Sequence, residues 1–172
     1  HAAVLLEMGR HTQMYMGHLA VTDVAGRRNF ADERIARGHP RLAGVVEKPF
    51  AAFVDGWSLR SIGTDDFAPL ELNGRGSDFN VNLRLDTTKP IVLQGDRGLS
   101  HKGPGNASYY YSVPRLQAAG VIEIGDRKHR VEGAAWLDRE WSTSVLNADY
   151  AGWDWFALQL DDGRDLVVFQ LR

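Results

Sequence analysis

Cysteine is absent from the 172 residues, which excludes disulfide bridges, thiolate metal sites and a cysteine nucleophile. That absence fits any compartment and decides none. No apolar run approaches the roughly 20 residues needed to span a bilayer as a helix. The start, His1-Ala2-Ala3-Val4-Leu5-Leu6-Glu7-Met8, lacks a basic segment, a signal-length apolar stretch and an initiator methionine, so no signal peptide is read in this chain. No lysine/arginine block occurs and the net charge is -2, which gives a nucleic-acid or anionic-membrane partner no electrostatic support. What is present is ordinary for a folded protein: 44% hydrophobic and 24% charged residues, enough for one domain with a core.

Period-two alternation punctuated by glycine turns is the recurring pattern, and it predicts strands. Tyr15 to Thr22 reads as a buried strand closed by a turn at Val24-Ala25-Gly26-Arg27, whereas Asn29 to Arg37 suits either a strand or a short helix. Phe50 to Val54 and Trp57 to Ile62 flank Asp55-Gly56, a tight-hairpin signal. Phe79, Val81, Leu83 and Leu85 alternate with Asn80, Asn82 and Arg84, as in a strand with one face buried. Gly95 to Gly105 reads as the main break, with four glycines and Pro104. Beyond it, Val121 to Ile124 with Arg130 to Asp138, and Asp154 to Leu160 with Leu166 to Leu171, read as hairpins, while Gln117-Ala118-Ala119 offers little room for a helix. Without a βαβ pattern, the chain is expected to be all-β and antiparallel, a sandwich or barrel. Bulky residues on both faces of one strand, such as Trp155 and Phe156, favour a closed or double-layered sheet. The final apolar strand, Leu166 to Arg172, suggests an excised part of a larger protein.

Most motif-like features carry little. The six histidines lack the close pairing of a zinc or iron site, and no metal is expected. Gly95-Asp96-Arg97-Gly98 lacks the lysine and hydroxyl of a phosphate loop, and Asn106-Ala107-Ser108 is a glycosylation triplet of a kind common by chance. Tyr109-Tyr110-Tyr111 places Tyr109 and Tyr111 on one strand face and Tyr110 on the other; packing is the plainer role for each, a phenolic cavity wall the functional one.

The run Trp136-Leu137-Asp138-Arg139-Glu140-Trp141 is more telling. If extended, it puts Trp136, Asp138 and Glu140 on one face and Leu137, Arg139 and Trp141 on the other. Two carboxylates beside an indole are costly if buried without partners. One reading therefore makes them structural, held by Arg115 or Arg139. The other places a carboxylic acid in an aromatic cavity, where loss of water favours the neutral form and makes it a proton donor near neutrality. Trp153 and Trp155 would extend the aromatic wall.

The segments Asp96-Arg97-Gly98-x-Ser100-x-Lys102-Gly103, Ala107-Ser108-Tyr109-Tyr110-Tyr111-Ser112, Pro114-Arg115-Leu116, Gly133-x-Ala135-Trp136-Leu137-Asp138-Arg139-Glu140-Trp141-Ser142 and Gly152-Trp153-Asp154-Trp155-Phe156 together resemble the AttH-like family, related to the carotenoid 1,2-hydratases (hydroxyneurosporene synthases). The resemblance runs from about Tyr15, where Gly17-His18-Leu19-Ala20-Val21-Thr22-Asp23 also fits, to Arg172; residues 1–14 match poorly. It implies a lipocalin-like β-barrel around a hydrophobic ligand, isoprenoid- or lipid-like, usually in two copies. Residues 1–172 would then be one such domain, truncated at both ends, with a second barrel as its missing partner. Family members include carotenoid and flavonoid-type hydratases, bacterial proteins described as predicted secreted hydrolases, and companions of an ABC transporter; by resemblance the location would be the cell envelope, the periplasm or outside the cell. The carotenoid hydratases carry a histidine-containing version of the Asp138 motif, so Arg139-Glu140-Trp141-Ser142 sets this chain nearer the AttH-type branch.

Two functions follow as expectations. In the first, the protein hydrates an alkene without a cofactor. Asp138 protonates the double bond, Trp136, Trp141, Tyr109 or Tyr111 stabilises the cation, and Glu140 or His18 handles the water. In the second, it is a non-catalytic carrier of a hydrophobic molecule, or an accessory of an ABC transporter, with Asp138 and Glu140 structural.

Overall fold

In the computed structural model, which describes residues 13–64, 67–142 and 150–172, the alternating segments are thirteen antiparallel strands, and no helix occurs among the described residues. They divide between two compact units. One comprises the chain up to Asp86 with Ala118–Gly133, the other Thr87–Gln117 with Ala134–Arg172.

The first unit begins with β1 (Met14–Asp23) and β2 (Arg28–Arg37), paired along their whole length from Met14↔Arg37 to Asp23↔Arg28. The segment that suited either helix or strand is thus a strand. Its ten-residue register with β1 outweighs the local helical preference of residues such as Ala31 and Glu33. Asp23 fixes the intervening turn by accepting from the Gly26 amide and the Arg28 guanidinium, both at 2.8 Å. Next come β3 (Ala43–Val46), β4 (Ala51–Val54), β5 (Trp57–Ser61), β6 (Leu70–Arg75) and β7 (Phe79–Thr87), a separate succession in which each strand pairs antiparallel with the next, while β7 pairs with β10 (Ala107–Ile124) and β10 with β11 (Arg127–Trp141). Tyr15, Leu19, Val54, Trp57, Phe79 and Val81 form the core of this unit, with Leu72, Leu83 and Ile122 packed against it. The buried set on β7 is the alternating set expected from the sequence.

The β4–β5 hairpin turns at Asp55 and Gly56, with φ of 43° and 84°. Two consecutive positive φ values define the tight turn whose twist matches its strands, and the second position costs an L-residue strain. Gly56→Ala is expected to destabilise the protein by about 1 kcal/mol. Nothing lies within 4 Å of the added Cβ, so the loss read in urea denaturation would report backbone strain alone.

In the second unit, the glycine-rich break is only partly irregular. It contains β9 (Leu99–His101), which pairs with β10, as does β8 (Val92–Leu93). Glycines with positive φ at 95, 98, 103 and 105 make the reversals that let so short a strand find its partner. β10 also runs longer than expected, straight through Pro114 and Gln117-Ala118-Ala119. Its turn into β11 is tightened to Gly125-Asp126. β12 (Trp153–Gln159) and β13 (Asp165–Leu171) form the last hairpin, in register from Trp153↔Leu171 to Gln159↔Asp165. The strands β10 and β11 each contribute to both units.

Candidate functional site

Strand alternation gives β10 and β11 two chemically different faces within the second unit. On one face Asp138 is held by two donors to the same oxygen. Ser112 Oγ approaches Oδ1 at 2.5 Å and Trp136 Nε1 at 2.8 Å. Ser112 in turn accepts from Gln94 Nε2 at 2.9 Å and is fully buried. A partly buried carboxylate gains from such donors, and here they orient the carboxyl group. The neighbouring Tyr110 is also buried. Burial pushes its phenol up to about 12; the hydrogen bond from Trp155 Nε1, at 3.1 Å, works against this, and the charge of Asp138 adds to it. Tyr110 is therefore a neutral hydroxyl through the physiological range.

Glu140 stands on the same face nearer the strand end. It accepts from Ser108 Oγ and pairs with Lys102 Nζ at 2.8 Å. The Lys102 side chain, only 11% exposed, comes from the glycine-rich segment and lies over the rings of Phe169 and Tyr110, at 3.9 and 5.4 Å from their centroids. The cation thus sits against aromatic faces as well as the carboxylate.

The other face gathers a different set. Tyr109 stacks on Trp141 at 5.7 Å and Tyr111 meets the same indole edge-on at 6.1 Å. Arg139 donates to the Tyr111 hydroxyl at 2.7 Å. Of the aromatic residues expected around Asp138, the structure therefore brings Trp136 to it directly and Trp155 through Tyr110. Tyr109, Tyr111 and Trp141 are on the opposite face, because odd and even residues of a strand point apart. Trp153 shares the Trp155 side of β12 and is exposed. His18 lies in the first unit, exposed on β1 opposite Glu33.

The arginine expected to hold the two carboxylates has another partner. Arg115 binds Asp165 through Nε at 3.1 Å and Nη2 at 2.8 Å, and Lys89 pairs with the other oxygen of Asp165. Burial alone would raise the Asp165 carboxyl, but the hydrogen bonds from Lys89 and Arg115 outweigh it and hold the group below the usual carboxylate range. The structural reading of Asp138 and Glu140 thus needs Ser112, Trp136, Ser108 and Lys102 in place of Arg115.

A cleft of about 290 Å³ lies beside these groups, with Lys89, Gln94, Ser112, Trp136 and Asp165 in its wall and Pro90, Val92, Pro114 and Val167 as its apolar surface. It is at the small end of the range of about 300–1,000 Å³ for ligand pockets, so it suits a small molecule or one end of a larger one. Ser112 and Trp136, the two donors to Asp138, form part of the wall; Asp138 does not. Among the described residues no three His, Asp or Glu side chains converge as a metal site requires.

Tyr110 and Ser112 stood in motifs the sequence offered, but neither was assigned to Asp138; the alternation Ser108-Tyr110-Ser112 carried across to β11 by strand parity points to both. Gln94 had no such signal, because only its contact with Ser112 brings it to the cluster. Lys102 and Asp165 had no local signal, since only tertiary contacts bring them to their partners.

The strand architecture is that of a lipocalin-like all-β protein. A crystal structure of a protein assigned as AttH from Nitrosomonas europaea matches with a TM-score of 0.85 and 36% identity over 93% of this chain and 50% of the other. The AttH-like family model matches residues 7–172, and the chain belongs to that family. Kievitone hydratase from Nectria haematococca has a similar fold, with a TM-score of 0.70 at 12% identity over 98% of this chain and 54% of the other. The chain spans about half the length of both solved structures. No curated protein matches its sequence.

Proposed function

We propose that the second unit binds a hydrophobic molecule carrying a carbon–carbon double bond and hydrates it, with Asp138 as the acid. The observation that carries this reading is the Trp136–Asp138–Ser112 cluster, whose two donors also line an apolar-walled cleft. Ser112 and Trp136 both engage Oδ1 and so orient the carboxyl group. Protonated, Asp138 gives its proton to one alkene carbon, and the π electrons form the new C–H bond. The other carbon becomes cationic and is met by the electron-rich face of Trp136, which lines the cleft. Water then forms the C–O bond and loses a proton, which returns to Asp138. Acid and water are regenerated or consumed in balance, and no redox partner enters. Tyr110 is too weak an acid for the first step and serves as a neutral dipole beside the carboxyl group. Glu140, 40% exposed beside Lys102, is the group on this face best placed to orient water. His18 is given no role. The relation of the AttH-like family to the carotenoid hydratases supports an isoprenoid-like alkene as the substrate, although the Asp138 motif here is of the AttH type.

One observation favours the carrier reading. The cleft wall is made by Ser112 and Trp136, with Asp138 outside it, which is what a carrier with a structural aspartate would show. On that reading the bound molecule is passed on unchanged, for example to an ABC transporter. Incubating the full protein with terpenoid alkenes in ¹⁸O-labelled water separates the two. The hydratase reading expects a labelled alcohol 20 mass units heavier than the alkene, on the order of one molecule of labelled water added per turnover; bound but unaltered alkene would leave the carrier.

A further inference from the structure

We infer that the cleft recognises a singly charged anionic group on its hydrophobic ligand, a carboxylate, through Lys89. The inference rests on the hydrophobic-ligand reading above and names the chemical class of that ligand.

The cleft is not uniformly apolar. At one part of its wall Lys89 and Asp165 are both exposed to the cavity, and Arg115 lies behind Asp165. Two cations therefore share one carboxylate. In the adjoining turn Asp162 is paired with Arg164 at 2.7 Å and so adds no net charge. The ion-paired group at the wall itself, Lys89 and Arg115 against Asp165, leaves one positive charge. That excess matches a monoanion better than a phosphate dianion.

Lys89 also has the means to use it. Among the described residues its ammonium donates to the Gly163 carbonyl and to Asp165, which occupies two of its three hydrogens. Its side chain is 32% exposed, so the third hydrogen can meet a ligand without unburying the ion pair. The two contacts fix the ammonium in place, which reduces the ordering cost of accepting an anion. The same wall carries Val92 and Val167 together with Ser112 and Trp136, and Val92 pairs across the strands with Ser112. A molecule with its acid on Lys89 would thus lay its apolar body toward the Asp138 cluster. Gln94 adds an amide on the same wall, already committed to Ser112.

The test uses the full protein and three probes of one chain length: decanoate, decanol and methyl decanoate. Decanoate is expected to bind roughly tenfold or more tightly than either neutral probe, as a charge-assisted hydrogen bond would give. Lys89→Met should bring that ratio close to one while decanol binding stays, because Arg115 still neutralises Asp165. Lys89→Arg should keep the preference. In the wild-type protein, lowering the pH until decanoate is protonated should also remove it, a readout that needs no variant. Equal binding of acid and alcohol, or a preference that survives Lys89→Met, overturns the inference and leaves the hydrophobic-ligand reading standing. If none of the three probes binds, that reading falls and the inference with it.

Discussion

Asp138→Asn in the full protein is expected to lower hydration turnover by about 10²–10⁴-fold, the usual contribution of a positioned general acid. The substitution separates chemistry from structure. An asparagine keeps an oxygen where Oδ1 stands, so Ser112 and Trp136 retain their acceptor and Gln94 keeps its place on Ser112. What is lost is the group that can release and take back a proton. Folding stability should therefore change by less than about 1 kcal/mol, the scale of one neutral hydrogen bond. Binding of a neutral hydrophobic probe should be unaffected. Unchanged turnover would remove Asp138 from the mechanism. Lost turnover together with lost folding would instead mark the residue as structural, and Ser112→Ala would then decide. That variant leaves the carboxyl group and its Trp136 donor in place but removes one of the two groups that orient it, so it should reduce turnover by about tenfold with folding retained.

The local parts of this fold were legible because each has a local cause. The Asp55-Gly56 turn needs two positive φ angles, and its dipeptide is suited to them. The alternation of Phe79, Val81 and Leu85 against Asn82 and Arg84 has only one strand reading. Where the sequence left a choice or misled, the cause was remote. Asn29 to Arg37, open to helix or strand, is a strand because β1 offers β2 ten partners, and Leu99 to His101, read as part of the break, is one because β10 runs alongside. The same division holds at the candidate site. Parity within β11 correctly set Trp136, Asp138 and Glu140 on one face, since this follows from strand geometry alone. Trp141 stands on the other face of β11, as parity also indicates, whereas which face of β10 meets Asp138 depends on cross-strand register, and that register sets Tyr109 and Tyr111 with Trp141. An arginine was expected at Asp138 on charge alone, yet two uncharged donors hold it and Arg115 went to Asp165.

Asp165 supplies the second large effect, on stability rather than on rate. Its side chain is 6% exposed and receives Arg115 at two nitrogens and Lys89 at the other oxygen, which ties the segment before β8 and the middle of β10 to the start of β13. Asp165→Asn keeps acceptors of similar shape for part of this arrangement but leaves Lys89 and Arg115 facing an uncharged group. The expected loss is about 2 kcal/mol at neutral pH, the scale of hydrogen bonds to a charged group, held toward its lower end because both cations are partly open to water. The pH dependence has a fixed sign. The folded-state carboxyl titrates below its unfolded value, so its stabilisation is fully present above the unfolded value of about 3.9 and is lost as pH falls through the lower folded value. Wild type and variant should therefore differ most in urea denaturation at pH 6–7 and converge only as the pH falls through that lower folded value, where the wild-type group also becomes neutral. A difference that stays constant down to that pH would show that Asp165 acts through shape and not through charge. A variant as stable as wild type at pH 7 would mean that the two cations contribute nothing measurable to holding β13.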